Sequence, residues 1–440
     1  MGKAWKTFFV LILLAGLMAG CTDGLFKKEN KTVTLKVFAT TTQEFSKYKA
    51  LIEEQFPDVT LEVFPYYSAL QSASLQIDPY STRETPDVRE TISKLVEQEN
   101  PDLYFNFDPT LYSEQFKLVN LAEPIRSNQL ELNAIQSQML NWEVDFDKEI
   151  TQISPTFDKK VLYINKSIFD RLDVPVPTTP MTWEQFRQTA ALIKEKDNKV
   201  TGYLFDEAVG LSQLVTEAAR YNGLPLTDNE GKLAIDSPLW KEVASDVMED
   251  LRSGVTSYAD DRRFLVHWST SAMFIADLTE AKDMVKKQVS TEFLQLADLP
   301  AQGDQPQPSP YRLTRPFSID LDSKHIEQAW NIIQFLISEE GAKRMDEKSI
   351  KDDFVAYPQY AGLGDFPVDI LSSKPFSYLS SHPKTKMHKN SVYEASSLIS
   401  KQLDAFYNGG QIYDHVWDNL MGQIQNFNSD SSKFVAVSGH

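Results

Sequence analysis

The chain has 440 residues, more than one hydrophobic core normally serves, and at roughly 100 to 200 residues per domain its length points to two or three units, two lobes being the default. Hydrophobic residues make up 42% and charged residues 24%, enough apolar surface to bury a sizeable core, which argues against a disordered chain. The formal net charge of -18 argues against nucleic acid or another polyanion as partner, because such ligands need a basic footprint.

The N-terminus reads as an export signal. Lys3 and Lys6 form a short basic region, Phe8 to Met18 is apolar, and Met18-Ala19-Gly20-Cys21 ends the run with small residues. That apolar core is too short to stay as a spanning helix. The ending resembles a lipobox, with methionine where leucine is usual. The resemblance implies that Cys21 is acylated and holds the mature chain to the outer face of the cell membrane. A plain signal peptide with an incidental cysteine is the simpler alternative. Cys21 is the only cysteine, so no intrachain disulfide is expected in the exported part. Residues 22–32 are polar and read as a tether.

Val33 to Phe38 alternates apolar and polar residues and predicts a first strand, followed by the hydroxyl-rich Thr40-Thr41-Thr42. Phe45, Tyr48, Leu51, Ile52 and Phe56 recur at helical spacing over Glu44 to Phe56, and Pro57-Asp58 stops that helix before a second strand, Val59 to Phe64. Such a βαβ unit implies a parallel sheet whose ligand site lies beyond the carboxyl ends of its strands. Residues 68–87 read as a loop insertion before a helix near Val88 to Glu99, and Leu103 to Phe107 as a buried strand ending at Asp108-Pro109. Further helices are expected near Leu130 to Leu140, Thr182 to Lys196, Leu211 to Tyr221, Pro238 to Ser253 and Ile326 to Ser338. Pro306 to Pro310 interrupts the pattern. At the Thr182 helix, Thr182 and Gln185 have the spacing of a capping box, with Trp183 and Phe186 as apolar anchors, so Trp183 reads as core rather than as a ligand contact.

The sequence has no G-x-S-x-G elbow, no H-E-x-x-H, no paired-cysteine spacing and no glycine-rich phosphate loop. None of His267, His325, His382, His388, His415 and His440 forms a close pair at helical spacing, so neither a metal nor a cofactor is expected. A carboxylate pair of glycosidase type stays open, because acids are abundant.

Several motifs in order resemble one family. They are Asn100-Pro101-Asp102-Leu103, Lys160 to Lys166 (KVLYINK), Pro180 to Phe186 (PMTWEQF), Asn222-Gly223 with Thr227 to Lys232, and Ala329-Trp330-Asn331 followed by Ser338-Glu339-Glu340-Gly341. Together they resemble the family 1 extracellular solute-binding proteins of bacterial carbohydrate ABC transporters, the maltose-binding-protein-like group. The resemblance implies an α/β, two-lobe periplasmic-binding-protein-like fold with multiple interlobe crossovers. It places residues 33–151 and 300–343 in the first lobe and residues 152–299 and 344–440 in the second. It further implies a monomer that is not an enzyme, captures a small-molecule solute, a sugar or oligosaccharide, in the interlobe cleft, and hands it to membrane permease subunits. A lipid-anchored surface enzyme or adhesin acting on polysaccharide is the alternative from another class; a peptide or another polar metabolite is the alternative ligand.

The candidate ligand-binding residues follow from strand ends and from the family pattern. Thr41 and Thr42 follow the first strand, Asp108 follows the third, and Thr156 and Phe157 lie just past the first crossover. Asp108 before Pro109 reads equally well as the cap of a following helix. The segment Ala272 to Asp277 resembles one whose last residues face the ligand in the family, which implicates Phe274 and Asp277, although Leu278 stands where an aromatic is expected. Trp268 lies upstream and Arg315 near the return crossover. Trp268 and Trp142 read equally well as core.

Overall fold

The computed structural model describes residues 32–436 apart from 73–85, 114, 128–129, 141–148, 179–180, 206–209, 229–231, 258–267, 287–292, 301–309, 351–352, 363–367, 372–384, 388, 410–412 and 431–432. The export signal with Cys21, Trp142, His267, His382, His388, His440, most of the 68–87 insertion and most of the Pro306 to Pro310 break lie outside the described residues.

Two larger sheets carry the chain, and Thr385–Met387 and Phe434–Ala436 form a separate antiparallel pair. The first has the order β2-β1-β3-β9, formed by β1 (Val33–Ala39), β2 (Val59–Pro65), β3 (Leu103–Phe105) and β9 (Phe317–Ile319). β1 pairs parallel with β2 from Val33↔Val59 to Ala39↔Pro65 and parallel with β3, while β9 returns antiparallel to β3. The helix Thr42–Gln55 crosses over between β1 and β2. The Thr41 side chain accepts its Glu44 amide (3.1 Å), and Phe45, Tyr48, Leu51 and Ile52 face the sheet as their spacing demands. The helix Ile326–Ile337 packs on the same core through Ala329, Trp330, Ile332, Ile333 and Leu336. Ser338 then caps the helix Glu339–Glu347 by accepting the Gly341 amide at 3.1 Å. A Cβ on Gly341 would stand 2.1 Å from the Phe335 carbonyl oxygen, so the close approach of these helices requires glycine there.

The second sheet has the order β10-β4-β6-β5, formed by β4 (Thr156–Asn165), β5 (Thr201–Phe205), β6 (Ser271–Asp277) and β10 (Phe354–Val355). β7 (Leu294–Ala297) and β8 (Tyr311–Leu313) also pair antiparallel with β4. The sheet is mixed, with β5 parallel and β4 antiparallel to β6. One face is covered by the helices Trp183–Lys196, Leu211–Tyr221, Pro238–Ser253, Lys389–Gly409 and Tyr413–Ser429, among which Trp183, Phe186, Leu214, Val243, Leu403 and Leu420 are buried. The expected capping box is present: Thr182 accepts the Gln185 amide (3.1 Å) and Gln185 accepts the Thr182 amide (2.9 Å). Pro238–Ser253 matches its expected bounds because Ser237 caps it and Gly254, at φ 72°, ends it in the left-handed conformation.

The differences from expectation are local. Residues Tyr66–Ser72 form a helix where a loop was expected, and the helix near Leu130 starts only at Ala134, where Asn133 and Gln136 exchange reciprocal side-chain to amide bonds at 3.0 Å. The strands change sheet later than expected. Ile153 still bridges to Phe317 in the first sheet before β4 begins at Thr156, and β8, at 311–313, belongs with the second sheet although residues 300–343 were assigned to the first lobe. Met345 and Ile350 pack in the first core, beyond the expected limit at 343.

Candidate functional site

Three stretches of chain join the two sheets, and side chains tie them together. At Ile153 to Thr156 the Ser154 hydroxyl donates to the Thr156 carbonyl (2.6 Å) and accepts the amides of Thr156 (3.2 Å) and Arg315 (3.3 Å). The Thr156 and Thr314 hydroxyls lie 2.8 Å apart, and the Arg315 guanidinium pairs with the Asp353 carboxylate. Lys282 donates to the Asp353 carbonyl (2.7 Å) and sits 4.3 Å over the Phe354 ring.

On the first sheet, the carboxyl ends of β1 and β3 present Thr41, Glu44, Asn106 and Asp108. Asn106 holds φ 52°, donates its amide to the Pro316 carbonyl (2.8 Å) and its Nδ2 to Glu44 Oε1 (2.9 Å). Non-glycine residues rarely adopt this conformation, and such strain concentrates at functional sites. Asp108 caps the short turn Pro109–Leu111, accepting the Thr110 amide (2.9 Å) and hydroxyl (2.6 Å) from Oδ1. Beside it, Tyr66 stacks on Phe38 (5.3 Å, 5°), and Tyr112 stacks on Phe107 (5.1 Å, 15°), so two partly exposed aromatic rings border this edge.

On the second sheet, the start of β4 holds a buried ionic cluster. Asp158 is 1% exposed; its carboxylate accepts the Thr279 hydroxyl (2.6 Å), the Thr279 amide (3.3 Å) and the Lys159 amide (2.7 Å), with Arg312 Nη2 at 3.7 Å. Burial, reinforced by the charge of Asp277, pushes the Asp158 carboxyl up to about 6. Asp277, at the carboxyl end of β6, pairs with Lys160 (3.2 Å) and Arg312 (2.6 Å). On the opposite face Lys159 is buried, its ammonium donating to the Ile370 carbonyl (2.6 Å) and to Asp298 (3.2 Å).

The two groups are neighbours along one stretch of chain. Arg312 lies across from Asp158 in the β4–β8 register, and Pro316, four residues on, meets Asn106. Four extended residues span at most about 14 Å.

The candidate residues therefore fall into distinct environments. Thr41 is a helix cap, and Thr42 is the exposed first residue of the same helix. Asp277 ends β6 and Arg315 lies in the crossover between β8 and β9, each already in an ion pair. Thr156 is fully buried and hydrogen-bonded to Thr314, so its hydroxyl ties two crossovers together rather than facing solvent. Phe157 (0% exposed) and Phe274 (2%) pack with Val161, Tyr163 and Leu204 inside the second sheet's other core. Successive strand residues alternate faces, so Phe157 points away from Asp158. Trp268 begins a turn leading into β6, and its side chain lies outside the described residues. Asp158, Lys160, Thr279, Arg312, Asn106 and Glu44 were not among the candidates. The available signal was Asp158-Lys159-Lys160, three successive charges inside an apolar strand.

The sequence matches the bacterial extracellular solute-binding protein family over residues 39–343. The chain belongs to that family. No curated protein matches this solute-binding protein by sequence. Solved structures share its fold. The sugar-binding protein MalE from Xanthomonas citri is 13% identical with a TM-score of 0.62, covering 90% of this chain and 98% of its own. A sugar transporter protein from Rhizobium etli, in an open conformation, is 16% identical with a TM-score of 0.60, covering 89% and 99%. A solute-binding protein from Agrobacterium radiobacter, in complex with ribitol, is 16% identical with a TM-score of 0.58, covering 90% and 98%. The solute-binding protein thus has the two-lobe fold of these neighbours. Among the described residues no group of three or more His, Cys, Asp or Glu side chains is placed to hold a metal, and no helix is long and apolar enough to cross a membrane.

Proposed function

We propose that the chain captures an uncharged polyhydroxylated solute, a sugar, oligosaccharide or polyol, between its two sheets and delivers it to the permease of an ABC importer. The observation that carries this reading is the juxtaposition at the crossovers. A planar carboxylate–guanidinium cluster on the second sheet (Asp158, Asp277, Arg312) lies four residues along the chain from Pro316, whose carbonyl accepts the amide of Asn106 beside Glu44 on the first, and Tyr66 and Tyr112 border that first-sheet edge. Hydroxyls are both donors and acceptors and match such planar groups, and sugar C–H faces match aromatic rings. The neighbours from Xanthomonas citri and Agrobacterium radiobacter, named for sugar binding or bound to ribitol, support the ligand class. Solute touching both lobes favours the closed arrangement, so binding free energy drives closure by a hinge at the three crossovers.

Calorimetric titration of the mature protein with maltose, maltotriose, D-glucose, D-galactose, ribitol and D-mannitol, followed by chromatography of the recovered ligand, tests this reading. Binding of at least one member with its recovery unchanged is expected. Hydrolysed or rearranged product would favour a surface enzyme, and no binding by any member would reject the ligand class.

The anchor belongs to the same proposal. Lipid on Cys21 keeps the binder at the outer membrane face, beside its permease. Fractionation of cells expressing Cys21→Ala is expected to move the protein from the membrane pellet to the soluble fraction. Retention in the pellet as firm as the parent's would exclude Cys21 as the attachment point.

A further inference from the structure

Four described residues other than glycine hold a positive φ, and three of them follow a helix: Asn100 after Pro86–Glu99, Asp173 after Lys166–Leu172, and Ser349 two residues beyond Glu339–Glu347. A left-handed residue in such a place ends its helix. Asn106, at φ 52°, instead follows the strand β3, is exposed, and stands at the carboxyl edge where an α/β sheet takes its ligand. Its backbone N–H, donating to the Pro316 carbonyl (2.8 Å), holds the turn without help from the side chain. Glycine would adopt the same conformation with less strain, so the turn alone does not call for asparagine.

We propose, resting on the solute site above, that Asn106 and Glu44 form one hydroxyl-binding unit, in which Glu44 turns the Asn106 amide so that Asn106 Oδ1 accepts a hydroxyl of the solute. The Glu44 carboxylate only accepts, so the nitrogen of the Asn106 amide is the atom that faces it, with Nδ2 2.9 Å from Oε1. The amide oxygen is thereby turned away from Glu44. Thr41, accepting the Glu44 amide at 3.1 Å, fixes the helical turn on which Glu44 stands. Among the described residues neither Asn106 Oδ1 nor Glu44 Oε2 has a hydrogen-bond partner, and Glu44 has no ion pair. The unit thus offers two acceptors to a solute, and hydroxyls are the donors that meet them in an uncharged one.

The test titrates the wild type, Asn106→Gly, Glu44→Ala and the double variant by calorimetry with maltose, maltotriose, D-glucose, D-galactose, ribitol and D-mannitol, and measures the thermal melting of each unliganded protein. Asn106→Gly keeps the turn, so it is expected to melt no lower than the wild type while binding the best solute at least fivefold more weakly. Glu44→Ala is expected to weaken binding as well, and the double variant to lose no more than the larger single loss, within twofold, because each residue acts through the other. A smaller loss in Asn106→Gly, or a lowered melting temperature, assigns the side chain to the fold and overturns the unit. Unchanged affinity in Glu44→Ala, or losses that multiply in the double variant, make the two residues independent and overturn it too. In each of these cases binding by the wild type leaves solute capture standing. Absence of wild-type binding to every member overturns solute capture, and the unit with it.

Discussion

Replacing Trp183 with alanine is expected to cost about 3 to 5 kcal/mol of folding stability, the range for deleting a large aromatic from a packed core. The indole is 3% exposed and sits among four rings: Phe186 at 5.2 Å, Tyr203 at 5.9 Å, Tyr221 at 6.0 Å and Phe205 at 6.2 Å. These rings come from two helices and the strand β5, so the cavity cannot close by moving one neighbour. Trp183→Phe should cost far less, because it keeps the stack and removes an indole N–H that finds no acceptor. Denaturant unfolding of both variants checks the order. Solute affinity of the folded Trp183→Ala protein should match the wild type. A marked affinity loss without loss of stability would mean that the residue contacts the ligand and would reject the core assignment.

The second large effect is a pH dependence centred on Asp158. Its carboxyl is raised from the ordinary value near 3.8 to about 6, first by burial and then by Asp277. A carboxyl with a raised folded-state value binds its proton more tightly in the folded than in the unfolded chain. Its favourable contribution is therefore complete below the unfolded value and is lost as pH rises through about 6. The loss amounts to about 3 kcal/mol, taking 1.36 kcal/mol for each pH unit between the two values. Asp158→Asn has no such titration. The stability of wild type minus Asp158→Asn should thus fall by about 2.4 kcal/mol between pH 4 and pH 7, most of that total. A difference that stays constant, or rises, over that interval would contradict the buried position of the carboxyl.

Local patterning made much of the fold legible. The βαβ start, the capping box at Thr182 and Gln185, and the Pro238–Ser253 helix follow from spacing, caps and stop signals that lie within a few residues of each other. Three-residue strands such as β8 and β9 carry too few residues to show a period, so the return crossover was placed too early. The site was less legible because its contacts are far apart in sequence. Asp158 meets Thr279 from 121 residues away and Asn106 meets Glu44 from 62, and no local pattern records either. Phe157 and Phe274 were drawn into the site by nearness to a crossover and by family position, but the strand's alternation turns both into the core. Asp108, open between two roles on sequence, caps the turn that follows it.

Closure on a bound solute is the central claim, and small-angle scattering of the mature protein tests it most directly. The measurement compares radius of gyration and maximum dimension with and without a saturating concentration of whichever sugar or polyol binds by calorimetry. Both should decrease with ligand, as the two sheets swing together about Ile153 to Thr156, Leu313 to Phe317 and the chain before Phe354. Identical dimensions with and without a ligand shown to be bound would contradict a cleft that closes.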